Sequence, residues 1–273
     1  MNIDYAKETC TLPTGHLDAL LLIPVKSGQS TIPLVFDSGA SVTLISRSAA
    51  EKLNAVRHTE TVKGAGNAGM QFTADTVIIP HLSIGAHVVS KLKAVVVEDE
   101  TLDFGTDDKG THFIINGLLG WDVLEHFTWR YDSERSAMAV SEPTAGKKYT
   151  EMADWDNMPI LHATLNGKKV LFGFDSGNTG TVLGDRYYQT LSSDSEYAET
   201  TVGVDGTREE IVRKAADFQI EIGRYRVELQ NVPAVNRRIF PSKYENIYGL
   251  LAADIIRGKS WTLDYLNRHF EIL

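Results

Sequence analysis

The chain has 273 residues, 42% hydrophobic and 23% charged, a composition that excludes general disorder and leaves room for two domains of about 150 residues. Twenty-seven Lys and Arg against 36 Asp and Glu give a net charge of −9, so neither nucleic acid nor anionic lipid is an expected partner. The apolar run near the start, residues 19–25, falls far short of the roughly 20 residues that span a bilayer.

No secretory leader is read in the first fifteen residues; as written the chain is expected in the cytoplasm, or exported if a signal or anchor segment was removed. The single cysteine, Cys10, excludes an internal disulfide.

In chain order, residues 1–14 read as a strand expected to pair with residues 268–273. Two strands follow, 17–25 and 32–36, joined by the turn Ser27-Gly28-Gln29 and ending on Asp37-Ser38-Gly39. A short helix is expected over 48–53, then a glycine-rich tip, then β-branched strands over 76–79 and 88–97. Residues 98–108 form an acidic run without the glycine and terminal Glu of a calcium loop, and read as a solvated loop. Residues 141–158, polar with Gly and Pro, read as a linker. Beyond it come strands over 160–165 and 170–174 around Asn166-Gly167, a hairpin signal because both residues tolerate positive φ. A helix over 185–191 and strands over 218–222 and 227–232 complete the reading.

This order repeats. LVFDSGASVTLIS at 34–46 answers FGFDSGNTGTVLG at 172–184, and GLLGWDVLEHFTWRYD at 117–132 answers GLLAADIIRGKSWTLD at 249–264. The spacing from Asp37 to Gly117 is 80 residues and from Asp175 to Gly249 is 74. Two blocks recurring in one order mark a duplicated, mostly-β chain with lobes at 1–145 and 146–273. A duplicated domain packs naturally about a pseudo-twofold axis, and such an axis could bring Asp37 and Asp175 face to face. Alone, an Asp-Ser-Gly tripeptide is more often a turn; its recurrence at the end of an apolar strand in both halves favours a shared site.

With those motifs in place, the chain resembles the aspartic proteases of the pepsin and retropepsin type. The resemblance rests on Phe36-Asp37-Ser38-Gly39-Ala40-Ser41 and Phe174-Asp175-Ser176-Gly177-Asn178-Thr179. Each is followed by a hydrophobic-hydrophobic-Gly element, Ile114-Ile115-Asn116-Gly117 and Ile247-Tyr248-Gly249. It implies a two-lobe fold with short helices and a cleft between the lobes. It also implies peptide-bond hydrolysis by a water activated between Asp37 and Asp175, which share one proton because like charges at close range cannot both ionise. Ser38 and Ser176 are implied to interlock the two loops. Gly39 and Gly177 are implied to admit backbone N–H groups to the carboxylates. Ala40 and Asn178 occupy the third position after each Asp; Ala40 offers no side-chain donor to its carboxylate and Asn178 could offer one, and activity is expected at mildly acidic to neutral pH. Asp122 and Asp254, also repeated, read as helix caps.

Gly64-Ala65-Gly66-Asn67-Ala68-Gly69 fits G-x-G-x-x-G, but no strand–turn–helix unit surrounds it, so a nucleotide site is rejected. By resemblance, Gly64 to Asn67 belong to the tip of a substrate-binding flap. Gly203, Val204, Asp205 and Gly206 form a second tip, in a stretch that starts at Val202, 27 residues after Asp175, as Gly64 stands 27 after Asp37. The eight histidines are dispersed, no metal site is expected, and a serine nucleophile lacks a base. The expected partner is a peptide or protein substrate, the expected state a monomer without cofactor. The alternative is a non-catalytic peptide- or protein-binding module on the same scaffold.

Overall fold

The structure, a computed structural model, describes residues 1–66, 68–106, 110, 112–146, 149, 152–155, 158–239 and 242–273, with the backbone alone for 153–155. Strands dominate, and among the described residues they form two large lobe sheets, a sheet shared by both halves and a two-stranded ribbon.

In the first lobe, Leu20–Ser27 and Ser30–Phe36 form a hairpin, turning at Gly28 with φ 57°. Ile23, Val25, Leu34, Val35 and Phe36 are fully buried. Burial of the adjacent Leu34, Val35 and Phe36 means that this strand is covered on both faces, as a central strand must be. Its terminal residues pair in parallel with Gly117–Leu119, which also pairs antiparallel with Leu44–Ser46. Leu44–Ser46 in turn lies parallel to His87–Val97.

The second lobe repeats the pattern. Pro159–Leu165 and Lys168–Asp175 form a hairpin through Asn166 (φ 49°) and Gly167 (φ 75°). Lys168–Asp175 pairs in parallel with Ile247–Ala252, which pairs antiparallel with Val182–Leu183. Parallel pairing needs a long crossover, and the chain of 74 to 80 residues between the two matched blocks supplies it. In each lobe a distant strand is thereby pressed against the end of the Asp-bearing strand.

The shared sheet runs Cys10–Pro13, Ala137–Ser141, Thr128–Asp132, Trp261–Asp264, His269–Ile272, so the halves are hydrogen-bonded where Thr128–Asp132 meets Trp261–Asp264. Above it Phe36 packs on Trp129 and Trp261, with ring centroids 5.1 and 5.3 Å apart, and Phe174 packs on Phe270 at 4.7 Å. Such contacts add to the large areas these rings bury. They anchor the roots of both Asp strands in one continuous core.

Two expectations are corrected here. Residues 1–14 do not pair with 268–273. Asn2–Asp4 pairs with His87–Val97 and Cys10–Pro13 with Ala137–Ser141, leaving Cys10–Pro13 and His269–Ile272 on opposite edges of the shared sheet. The 141–158 stretch is not all linker, because Met152–Trp155 adds a strand beside Pro159–Leu165. The helices are short, at Arg47–Lys52, Trp121–Leu124 and Asp185–Tyr188, the first capped by the Ser46 hydroxyl, which accepts from Ala49 N–H at 3.1 Å. No helix among the described residues is long and apolar enough to cross a membrane.

Candidate active site

Each Asp ends a buried strand, so its carboxyl group leaves the core where the two lobes meet. Asp37 and Asp175 are both buried, 5% and 7% exposed, and their carboxyl groups are hydrogen-bonded to each other. The sequence neighbours explain the placement. Asp37 Oδ1 accepts from the N–H groups of Gly39 and Ala40, both at 2.9 Å. Asp175 Oδ1 accepts from Gly177 N–H at 2.9 Å, and the Asn178 N–H, which donates to Asp175 O at 3.3 Å, also acts on the carboxyl group. The help from position three is thus a backbone contribution in both lobes.

The two loops are locked across the lobe boundary by four reciprocal bonds. Ser38 donates its N–H to Ser176 Oγ at 3.0 Å and its hydroxyl to Phe174 O at 2.9 Å. Ser176 donates its N–H to Ser38 Oγ at 3.0 Å and its hydroxyl to Phe36 O at 2.7 Å. All four groups are buried, where an unmade hydrogen bond is most costly. The glycines serve the opposite lobe: a Cβ on Gly39 would fall inside contact distance of the Asp175 carboxyl, and one on Gly177 inside that of Asp37.

Burial is the main force on the pair, raising both carboxyl groups above the ordinary aspartate value. For Asp175 the Asp37 charge adds to it; for Asp37 the hydrogen bond with Asp175 and the loop N–H groups act in the opposite direction. Asp175 therefore holds a proton well above the usual carboxylate range, and its titration is coupled to that of Asp37.

Asp122 and Asp254 do not cap helices. Gly120 stands at the cap of Trp121–Leu124, and Asp122 Oδ1 instead accepts from Thr43 N–H at 2.9 Å and Thr43 Oγ1 at 2.7 Å. Asp254 accepts from Thr181 N–H at 2.8 Å and Thr181 Oγ1 at 2.7 Å. With Trp121 N–H donating to Ala40 O and Ala253 N–H to Asn178 O, these bonds brace each Asp-Ser-Gly loop from behind. Thr43 and Thr181 stand six residues after each Asp, so the repeat itself carried the signal.

Burial pushes the Asp122 carboxyl from 3.8 up to about 6, the Thr43 donors acting in the opposite direction. The folded state then binds this proton more tightly than the unfolded chain. The contribution is favourable below about pH 4 and is lost as pH rises through about 6, a cost of about 3 kcal/mol at pH 7. Asp122→Asn keeps an oxygen for Thr43 and removes the charge. Its stability relative to wild type should rise by up to about 3 kcal/mol between pH 4 and pH 7 in urea denaturation; a difference independent of pH would contradict this.

Two long hairpins rise from the lobes. Val56–Ala65 pairs with Gln71–Ile84, and Glu196–Gly203 with Gly206–Ile222. Gly64 and Ala65 end the outgoing strand of the first, with Gly66 in its turn; Asn67 lies outside the described residues. Gly203 and Gly206 form the last rung of the second, with Val204 and Asp205 as its two-residue turn. The tips touch: Asp205 Oδ1 accepts from Ala68 N–H at 3.0 Å and Oδ2 from Met70 N–H at 2.7 Å. Among the described residues, no group of three or more His, Cys, Asp or Glu side chains is placed to hold a metal ion.

Residues 23–123, a stretch that includes Asp37 and Gly117, match the model of the aspartyl protease family. In fold the chain is similar to the aspartic proteinase from Irpex lacteus, with a TM-score of 0.55 and 12% sequence identity over 97% of each chain. No curated protein matches it in sequence. Residues 23–123 thus match the aspartyl protease family, and the chain over nearly its whole length shares the two-lobe β fold of an aspartic proteinase.

Proposed function

We propose that this protein is an aspartic endopeptidase in which Asp37 and Asp175 are the catalytic residues. The observation that carries the reading is the shared hydrogen bond between two buried carboxyl groups drawn from opposite halves of one chain. In the singly protonated pair, the ionised carboxylate takes a proton from a bound water as its oxygen attacks the scissile carbonyl carbon. The protonated carboxyl gives its hydrogen to the carbonyl oxygen, producing a neutral gem-diol. Collapse of the diol breaks the C–N bond, with one proton delivered to the leaving nitrogen and one returned to the pair. Water and two carboxyl groups balance the reaction, so no cofactor is required.

Residues 1–145 and 146–273 each supply one Asp-Ser-Gly loop and one hairpin, so a single chain suffices. Ser38, Ser176, Gly39, Gly177, Ala40 and Asn178 hold the pair. Gly64, Ala65, Gly66, Gly203, Val204, Asp205 and Gly206 belong to the roof. An extended segment of a peptide or protein substrate lying between floor and roof would bind through strand addition to the hairpins, which favours cleavage within a chain. The raised proton affinity of the pair supports activity at mildly acidic to neutral pH. The test is hydrolysis of labelled casein by wild type and by each single Asp→Asn variant. Cleavage lost in both variants supports the reading, and binding without any cleavage by wild type would favour a peptide-binding module.

A further inference from the structure

The two hairpin tips are not equivalent, and their asymmetry has a chemical consequence. In the first lobe the described tip residues are Gly66 and 68–70, and the N–H groups of Ala68 and Met70 point at the second lobe. The second lobe answers with Val204-Asp205. The carboxylate divides its oxygens, one to each N–H, so both bonds are charge-assisted and oriented. Val204 beside it packs, like Phe72, against a first-lobe apolar cluster containing Val35, Leu44 and Ile115. Val35 lies two residues before Asp37 and Ile115 two before Gly117, so this cluster adjoins the strand ends that place the Asp pair.

The glycines of the first tip are shaped to this contact. A Cβ at Gly66 would meet Asp205 Oδ1 at 2.6 Å and Val204 Cγ2 at 2.9 Å. Gly69, at φ 72°, holds a left-handed conformation, and a Cβ there would meet the Arg208 guanidinium at 2.6 Å. A side chain at Gly66 would crowd the Asp205 and Val204 contact directly, whereas at Gly69 the left-handed backbone is the constraint, since the Arg208 guanidinium can move aside.

We infer that Asp205 is a positioning residue: its carboxylate latches the tip of the first hairpin to the second, so that both close together over a bound peptide. Its kinetic consequence rests on the proteolytic reading above, but its structural content does not. Releasing the latch leaves Asp37 and Asp175 in place and removes what holds the roof down. The effect therefore falls on substrate retention and not on the chemical step.

Amide exchange of the free protein and steady-state hydrolysis of labelled casein together test the inference, on wild type, Asp205→Ala and Asp205→Asn. In Asp205→Ala, exchange at Ala68 and Met70 should accelerate about tenfold or more, while amides at the base of Gln71–Ile84 keep their rates. KM should rise about tenfold with kcat within about twofold. Asp205→Asn, which retains one acceptor oxygen, should fall between. Unchanged exchange at Ala68 and Met70 would overturn the latch. Faster exchange with unchanged KM, or a loss confined to kcat, would overturn its positioning role. If wild type fails to cleave casein, the proteolytic reading falls while the exchange measurement still decides whether the latch exists.

Discussion

Asp37→Asn is expected to lower casein hydrolysis by at least about a thousandfold, and Asp175→Asn to do the same, since the proposed reaction takes both its base and its acid from the pair. The substitution is close to isosteric. An Asn oxygen at position 37 still accepts from Gly39 and Ala40, whose N–H groups lie 2.9 Å from the carboxylate oxygen they replace. What is lost is the ability of two like groups to share one proton. Folding should be retained or improved, because burial and mutual repulsion both disfavour charge on the pair. Near-UV circular dichroism and a thermal midpoint no lower than wild type would show that the activity loss is chemical. A folded variant retaining more than about a tenth of wild-type activity would show that hydrolysis proceeds elsewhere.

Gly177→Ala should be the most damaging change at a residue without a functional group. Its Cβ would lie inside contact distance of the Asp37 carboxyl, which two N–H bonds hold in place. The loop cannot yield freely, because Ser176 beside it makes bonds to Ser38 and Phe36. One carboxyl group must shift, and a misplacement of about 1 Å costs about a hundredfold in rate, with about 1–3 kcal/mol of stability lost to overpacking. Gly39→Ala should behave alike through Asp175. Gly180→Ala in the same loop is the control, since nothing lies within 4 Å of its Cβ and activity should stay within about twofold. Equal activity in Gly177→Ala and Gly180→Ala would mean that the close approach is unimportant.

The duplication was legible because both halves use the same local devices. Asn166-Gly167 announced its turn, the apolar run before each Asp its buried strand, and the matched blocks the two sites that face each other. The shared sheet was not legible. Thr128–Asp132 and Trp261–Asp264 are over a hundred residues apart, and nothing in either short strand specifies its partner until the lobes have packed. The same holds for residues 1–14, whose strands found partners at 88–90 and 137–140 instead of 268–273.

Asp122 misled for a local reason. An acidic residue in the first turn of a helix suits the helix dipole, but Gly120 occupies the cap and the side chain turns toward Thr43. The tip contact of Asp205 with Ala68 and Met70 depends on two hairpins from different lobes reaching the same height, a tertiary fact without a sequence pattern.

The most direct test of the account is a carbon-13 carboxyl NMR titration of the free protein with labelled aspartate, in wild type and Asp37→Asn. In wild type, Asp37 and Asp175 should titrate together, with one proton released well above the ordinary range. In Asp37→Asn the Asp175 step should move downward as the neighbouring charge is removed. Independent titration of the two residues in wild type, or an Asp175 step unmoved by the substitution, would contradict a shared proton.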